Sequence, residues 1–208
     1  MNTIAYLKEI YGYSTPIFLK DIRIGGKSKT SIRKDLSRAV EKGEIKRDGQ
    51  GVYYFEFKGE ISDTLSAEEI IMLRYIKNNY GITGLDLDVY GYFTGLTFLN
   101  QIGISQQVPA IYEIKTNNTS SKRLIKYRYA RAILRKGKIT INRFNYKALQ
   151  FFDMFYLLKK EDIIDNYSLL EKYIQENLSK ADFEKYISLY PTKIMKILVE
   201  SGLINAFR

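Results

Sequence analysis

The chain has 208 residues, 45% hydrophobic and 14% aromatic, enough apolar material for packed cores in two small domains. It contains no cysteine and no histidine, which excludes disulfides, thiolate metal sites and cysteine nucleophiles and removes the commonest general base. The net charge of +10 points to an anionic partner, nucleic acid before others.

No run of residues reaches the apolar length needed to cross a bilayer, and the start, MNTIAYLKEIY, lacks the pattern of a secretory signal. A cytoplasmic location is therefore expected, without a membrane partner. The charge is unevenly spread. Residues 1–60 carry 12 Lys and Arg against 8 Asp and Glu, and residues 61–120 carry 3 against 6. Residues 121–160 carry 12 against 1, and residues 161–208 carry 6 against 8.

In chain order, residues 3–11 and 15–22 read as two short helices, followed by the breaker Gly25-Gly26. The stretch SKTSIRKDLSRAVEKG then places Ile32, Leu36, Ala39 and Val40 on one stripe at helical spacing. Ser28 or Thr30 can cap this helix and Gly43 can end it. Next, EIKRDGQGVYYFEF flanks the turn residues Asp48, Gly49, Gln50 and Gly51 with β-type residues, the signature of a hairpin.

Helix, helix, helix, hairpin is the order of a winged helix-turn-helix, whose third helix enters the major groove. Candidate DNA contacts are Lys27, Ser28, Lys29, Thr30, Ser31, Arg33, Lys34, Ser37 and Arg38 around that helix, with Lys46, Arg47 and Gln50 on the wing. The competing reading is a merely solvated polar face. Clustering of the cations around the helix start and the wing favours DNA.

Residues 58–65 are the expected boundary, dividing a DNA-binding domain over 1–60 from an α+β domain over 61–208. Ser66 and Glu69 resemble a capping box opening a helix to about Asn78. A strand is expected from Gly84 up to Gly91, and a helix from Thr94 to Gly103. A second strand should place Val108, Ala110, Tyr112 and Ile114 on one face, with LIKYRYARAIL from Leu124 as its neighbour and residues 139–141 as a third. After Asn145 the pattern turns helical: YKALQFFDMFYLL, DIIDNYSLLEKYIQENL, ADFEKYISLY and PTKIMKILVESG, the last stopped by Gly202. The expected fold class is α+β: an N-terminal winged helix-turn-helix, then an α+β domain with a small sheet and a C-terminal helical layer.

Residues 122–138 hold Lys122, Arg123, Lys126, Arg128, Arg131, Arg135, Lys136 and Lys138 without an acid. If the block is one strand, Lys126 and Arg128 share a face, and Tyr127, Tyr129, Arg131 and Ile133 share the other. Basic residues interleaved with tyrosines suit phosphate contact plus base stacking. A solvated strand or a surface for an acidic partner are the alternatives. Glu113 and Lys115, two apart, with Asp86 and Asp88 upstream, match the acid-then-Glu-x-Lys order of magnesium-dependent nucleases, a short pattern that also arises by chance.

Residues 90–117, YGYFTGLTFLNQIGISQQVPAIYEIKTN, carry GLT, NQIG, VPAIYEI and TN in that order. This segment, preceded by the expected winged helix, resembles the type IV abortive-infection antitoxins, the AbiE-type transcriptional regulators. The resemblance runs to about Arg135. It implies a non-enzymatic repressor of its own operon, whose winged helix binds operator repeats and whose second domain neutralises a nucleotidyltransferase-type toxin. No cofactor and no metal are expected, and the protein is expected to be a monomer or an oligomer assembled on DNA. Two alternatives remain open, a nuclease with a winged-helix targeting domain and an RNA-binding interaction protein. Gly91 and Gly95 are expected to serve close packing or a turn rather than a ligand.

Overall fold

The computed structural model describes residues 2–49, 51–57, 66–77, 88–127 and 130–207. The expected boundary at 58–65, together with Gln50, Asn78, Asp86, Arg128, Tyr129 and the beginning of the strand expected from Gly84, lies outside them. The fold is α+β with two small sheets. The described residues pack into two compact units. The first comprises those up to Arg74 together with Lys126, Tyr127 and Ala130; the second comprises those from Tyr75 to Ile125 and from Arg131 onward.

The first unit opens with helix α1 (Thr3–Tyr11), capped by the Asn2 side chain, which accepts from the Ile4 N–H at 2.9 Å. Helix α2 (Lys29–Glu41) is capped by Ser28, whose Oγ accepts from the Ser31 N–H at 3.1 Å, and Gly43 follows it at φ +70°. Three strands, β1 (Ile17–Phe18), β2 (Lys46–Arg47) and β3 (Val52–Tyr54), form an antiparallel sheet in the order β1-β3-β2. Helix α3 (Ala67–Tyr75) begins at Ser66, whose Oγ accepts from the Glu69 N–H at 3.0 Å. The core joins Leu7, Ile17, Ile22, Ile24, Ile32, Leu36, Ala39, Ile45, Tyr53 and Phe55. The expected stripe on α2 is thus buried, with Val40 packed half-buried beside it.

The helix expected over 15–22 is not there. Pro16 cannot donate a backbone hydrogen bond and disfavours helical geometry at Thr15. Ile17 and Phe18, both buried, extend along β3 instead, with Ile17 opposite Tyr53, and the Leu19 N–H donates to the Gly51 carbonyl at 2.9 Å.

The second unit contains β4 (Gly91–Phe93), α4 (Gly95–Gln101), β5 (Tyr112–Thr116), β6 (Arg123–Lys126) and β7 (Arg131–Arg135), the strands in the order β4-β5-β7-β6. Strand β5 pairs antiparallel with β4, Tyr92 opposite Lys115, and parallel with β7, Ile114 opposite Leu134. The helical part follows: α5 (Tyr146–Met154), α6 (Lys160–Asp165), α7 (Tyr167–Asn177), α8 (Lys180–Tyr186) with a 3-10 turn at Ile187–Leu189, and α9 (Thr192–Glu200). Gly202, at φ +74°, turns the chain so that Leu203 is buried against the core.

Helix α5 is the centre of this unit. Every residue from Ala148 to Met154 is buried, as expected of a helix enclosed on all sides. Phe151 and Phe152 meet Phe155, Phe183, Tyr190 and Phe207 at ring-centroid distances of 5.1–6.4 Å within one aromatic cluster.

Several expectations for this unit differ from the structure. Strand β4 is Gly91–Phe93, paired with β5; of the strand expected up to Gly91, Val89 forms an isolated antiparallel bridge with Lys77, and residues 84–87 lie outside the described residues. Val108 and Ala110 are exposed and precede β5, so they are not on its inner face. Residues 124–134 are divided between β6 and β7, with the Tyr127 N–H donating to the Ala130 carbonyl at 2.8 Å between them and Arg128 and Tyr129 outside the described residues, and residues 139–141 form no strand. The helical stretch expected from 162 breaks at Asn166, whose Nδ2 donates to the Asp162 carbonyl at 2.8 Å and competes with the helical ladder.

Gly91 serves close packing, as expected. A Cβ there would lie 2.0 Å from the Tyr75 carbonyl oxygen and 2.8 Å from that of Lys115, both backbone atoms that cannot step aside cheaply. Gly91→Ala is therefore expected to destabilise the second unit by roughly 1–3 kcal/mol or more. Urea denaturation of the full chain measures this, and an unchanged midpoint would contradict the close approach.

Candidate functional site

The outer face of α2 carries the DNA-contact candidates. Ser28, Lys29, Thr30, Arg33, Lys34, Ser37 and Arg38 are exposed, and Ser31 is half-buried. Since 3.6 residues make one turn, Thr30, Arg33, Lys34, Ser37 and Arg38 are neighbours on one side, opposite Ile32, Leu36 and Ala39. Among the described residues, none of Lys29, Arg33, Lys34 and Arg38 has a carboxylate at ion-pair distance. Four exposed cations on one helix make a positive surface, and Arg38 among them acts on the Asp35 carboxylate without an ion-pair contact.

Lys27 belongs to a different arrangement. It is half-buried, and its Nζ donates to Asp35 Oδ2 and to Thr3 Oγ1, both at 2.7 Å. The Thr3 hydroxyl also donates to Asp35. The cluster ties α1, the loop before α2 and α2 itself together, so the Lys27 ammonium is occupied within the unit. The Lys27 ammonium, then the Thr3 hydroxyl, hold the Asp35 carboxyl below its ordinary value.

On the hairpin, Lys46 and Arg47 are exposed on β2. Lys46 lies 3.6 Å from Glu56, and Arg47 Nε donates to the Gly49 carbonyl at 3.0 Å, holding the turn; Gln50 lies outside the described residues.

In the second basic block, Lys122, Arg123, Lys126, Arg131, Lys136 and Lys138 are exposed. Arg135 Nη2 lies 3.9 Å from Glu113, and Lys138 Nζ sits 5.0 Å and 5.7 Å from the ring centroids of Tyr190 and Tyr156. The expected alternation of basic and tyrosine faces presupposes one strand; β6 ends at Lys126 and β7 begins at Arg131, and Arg128 and Tyr129 lie outside the described residues. Tyr127 packs against the cluster of Phe18, Val52 and Ile70 in the first unit instead of offering a ring to solvent.

The nuclease residues are also drawn apart. Glu113 and Lys115 share a face of β5, but Glu113 faces Arg135 and Lys115 Nζ donates to Asp153 Oδ1 at 2.7 Å. Asp88 is exposed, and Asp86 lies outside the described residues. No group of three or more acidic side chains gathers to hold a metal among the described residues.

The motif elements at 90–117 have structural duties. Thr97 Oγ1 accepts from the Glu113 N–H at 2.9 Å, joining α4 to β5. Asn100 Nδ2 donates to the Ser105 carbonyl at 3.1 Å, and Gly103 takes φ +82° as the helix ends. Asn117 clasps the backbone of Ile141, donating to its carbonyl at 2.8 Å and accepting from its N–H at 2.9 Å.

Sequence reasoning missed the polar group inside the second core. The Asp153 side chain is 1% exposed and accepts from the Tyr92 hydroxyl at 2.7 Å as well as from Lys115. Burial, followed by the nearby Asp153 charge, pushes the hydroxyls of Tyr92 and Tyr190 well above their ordinary value, so both remain neutral donors. The available signal was that Asp153 is the one acid in residues 121–160.

Two outcomes follow from these charge groups. Because the Asp35 pKa is depressed by folding, its contribution to stability is present above the ordinary carboxylate range and lost as pH falls through the folded value. Asp35→Asn should lower the Tm at neutral pH, and the difference from the parent should shrink as pH falls below the ordinary Asp value of about 3.8. A constant difference across that window would exclude the pairing as its source. Asp153→Asn leaves the Lys115 charge uncompensated and should destabilise by roughly 3–5 kcal/mol, whereas Lys115→Met with Asp153→Leu should cost less than the sum of the single changes. Strict additivity in that cycle would show that the pair does not interact.

No helix among the described residues is long and apolar enough to cross a membrane. No protein-family model matches the chain, and neither a curated protein nor a solved structure matches it.

Proposed function

We propose that this chain is a DNA-binding transcriptional regulator whose first unit acts as a winged helix-turn-helix. Helix α2 is the recognition helix and the β2–β3 hairpin is the wing. The carrying observation is the row of Lys29, Arg33, Lys34 and Arg38 on the exposed face of α2, with no carboxylate at ion-pair distance among the described residues. An exposed positive helix face suits a phosphate backbone, and the interspersed Thr30 and Ser37 can reach base edges. The Lys27–Asp35–Thr3 cluster supports this reading by fixing α2 against α1 while consuming one cation only. Within that reading, Lys27 positions the helix and does not touch DNA.

The antitoxin role rests on the resemblance of residues 90–117 to the AbiE-type regulators. The chain represses its own operon, and its second unit neutralises a nucleotidyltransferase-type toxin.

The test is binding to the duplex upstream of the chain's own coding sequence. Thr30→Ala and Lys34→Ala should each reduce discrimination against random duplex by roughly 1–3 kcal/mol if they read bases. Arg47→Ala should weaken all duplexes alike. Equal losses on specific and random DNA for every α2 variant would remove the base-reading role. Growth rescue by co-expression against the adjacent reading frame tests neutralisation. Magnesium-dependent cleavage abolished by Glu113→Ala would overturn the non-enzymatic reading.

A further inference from the structure

In the second unit, the connection between β7 and α5 presents one aromatic ring to solvent. Phe144 is 75% exposed, well beyond the next most exposed described aromatic, Phe57 at 50%. A single exposed phenylalanine is common on protein surfaces. What distinguishes this one is how firmly its backbone is held.

Asn117, reaching across from the end of β5, grips Ile141 through both its N–H and its carbonyl, and the Ile141 side chain is 2% exposed. Asn145, itself 3% exposed, accepts from the Asn142 N–H at 2.8 Å and donates to the Thr140 carbonyl at 2.9 Å. Asn142 Oδ1 accepts from the Phe144 N–H at 2.9 Å. Three asparagine side chains therefore fix a five-residue turn whose ends are buried and whose apex is an exposed ring. A ring held in this way loses little conformational entropy when something stacks on it.

The surroundings are cationic. The Arg143 guanidinium carbon lies 4.8 Å from the Phe144 ring centroid, and Lys136, Lys138 and Arg143 are exposed on the same connection. Residues 114–152 contain 11 Lys and Arg and no acid. The acids at either end of that span, Glu113 and Asp153, already face Arg135 and Lys115. An aromatic face bordered by cations, with no acid nearby in the chain, matches an unpaired nucleotide, whose base stacks and whose phosphate is attracted. A duplex buries its base faces within its own stack and cannot use the ring in this way.

We propose that Phe144 is a stacking platform for an unpaired nucleobase and that Arg143, with the exposed Lys136 on the same connection, attracts the adjoining phosphates, giving the second unit a single-strand binding site. The site lies outside the first unit and does not depend on α2 reading DNA.

The experiment is fluorescence anisotropy of the full chain with labelled oligothymidine, oligouridine and a mixed-sequence duplex of equal length. Phe144→Ala should weaken binding to the single strands about tenfold and leave duplex binding unchanged, while Phe144→Tyr should bind as the parent does. Loss on both single strands assigns the site to any unpaired base, and loss on one alone assigns it to DNA or to RNA; either result supports the proposal. The ring is exposed, so an unchanged thermal melt is expected and shows that the fold is intact. Equal single-strand affinity of parent and Phe144→Ala, or no single-strand binding by the parent, overturns the proposal and leaves the ring to a protein partner. Binding to the upstream duplex, measured in parallel, fails or succeeds independently.

Discussion

A carboxylate buried among aromatic rings organises the second unit. Asp153 lies on a helix with no exposed face, and an isolated charge there would be severely destabilising. Its two oxygens are satisfied from two different strands, by Tyr92 on β4 and Lys115 on β5. These partners stand opposite each other in the antiparallel register, so one carboxylate fixes both the pairing of the strands and the position of α5 across them. Gln150, one turn earlier on α5, adds a bond from Nε2 to the Phe93 carbonyl at 2.8 Å. Buried polar groups of this kind specify one arrangement more than they add net stability.

The first unit uses the same device at its surface. Lys27, Thr3 and Asp35 converge where α1, the loop and α2 meet, and the aliphatic core lies beneath. Asp35 is the acid that interrupts the basic run of α2, and its charge is directed inward to Lys27. Arg38, one turn further along, also acts on the Asp35 carboxylate, while Lys29, Arg33 and Lys34 are exposed without a carboxylate at ion-pair distance among the described residues, as the proposed DNA contact requires. The basic residues therefore include some that position elements, such as Lys27, Arg47 and Lys115, and others, such as Arg33 and Lys34, that face outward.

The motif segment at 90–117 shows how fold and proposed function share residues. Thr97, Asn100, Gly103 and Asn117 all make bonds or turns that close α4 against β5 or pin the β7–α5 connection. Asn117 belongs to both arguments, because holding Ile141 also holds the turn that displays Phe144. A short pattern can persist because it builds a scaffold while function is carried by side chains that the scaffold presents.

What the sequence determined by itself was local. The cap at Ser28, the left-handed glycines after α2 and α9, the buried stripe on α2 and the helices after Asn145 depend on hydrogen bonds and spacings within a few residues. The tertiary structure decided whatever depends on a distant partner. Residues 17–18 became a strand because β3 offered an edge, although the local pattern also suited a helix. The basic block is divided between β6 and β7, with β7 paired to β5, and Tyr127 lies half-buried against a core instead of on a stacking face. Asp153, Lys115 and Tyr92 lie far apart in the chain, and no spacing rule joins them. Only burial, which makes an unpaired carboxylate too costly, forces them together.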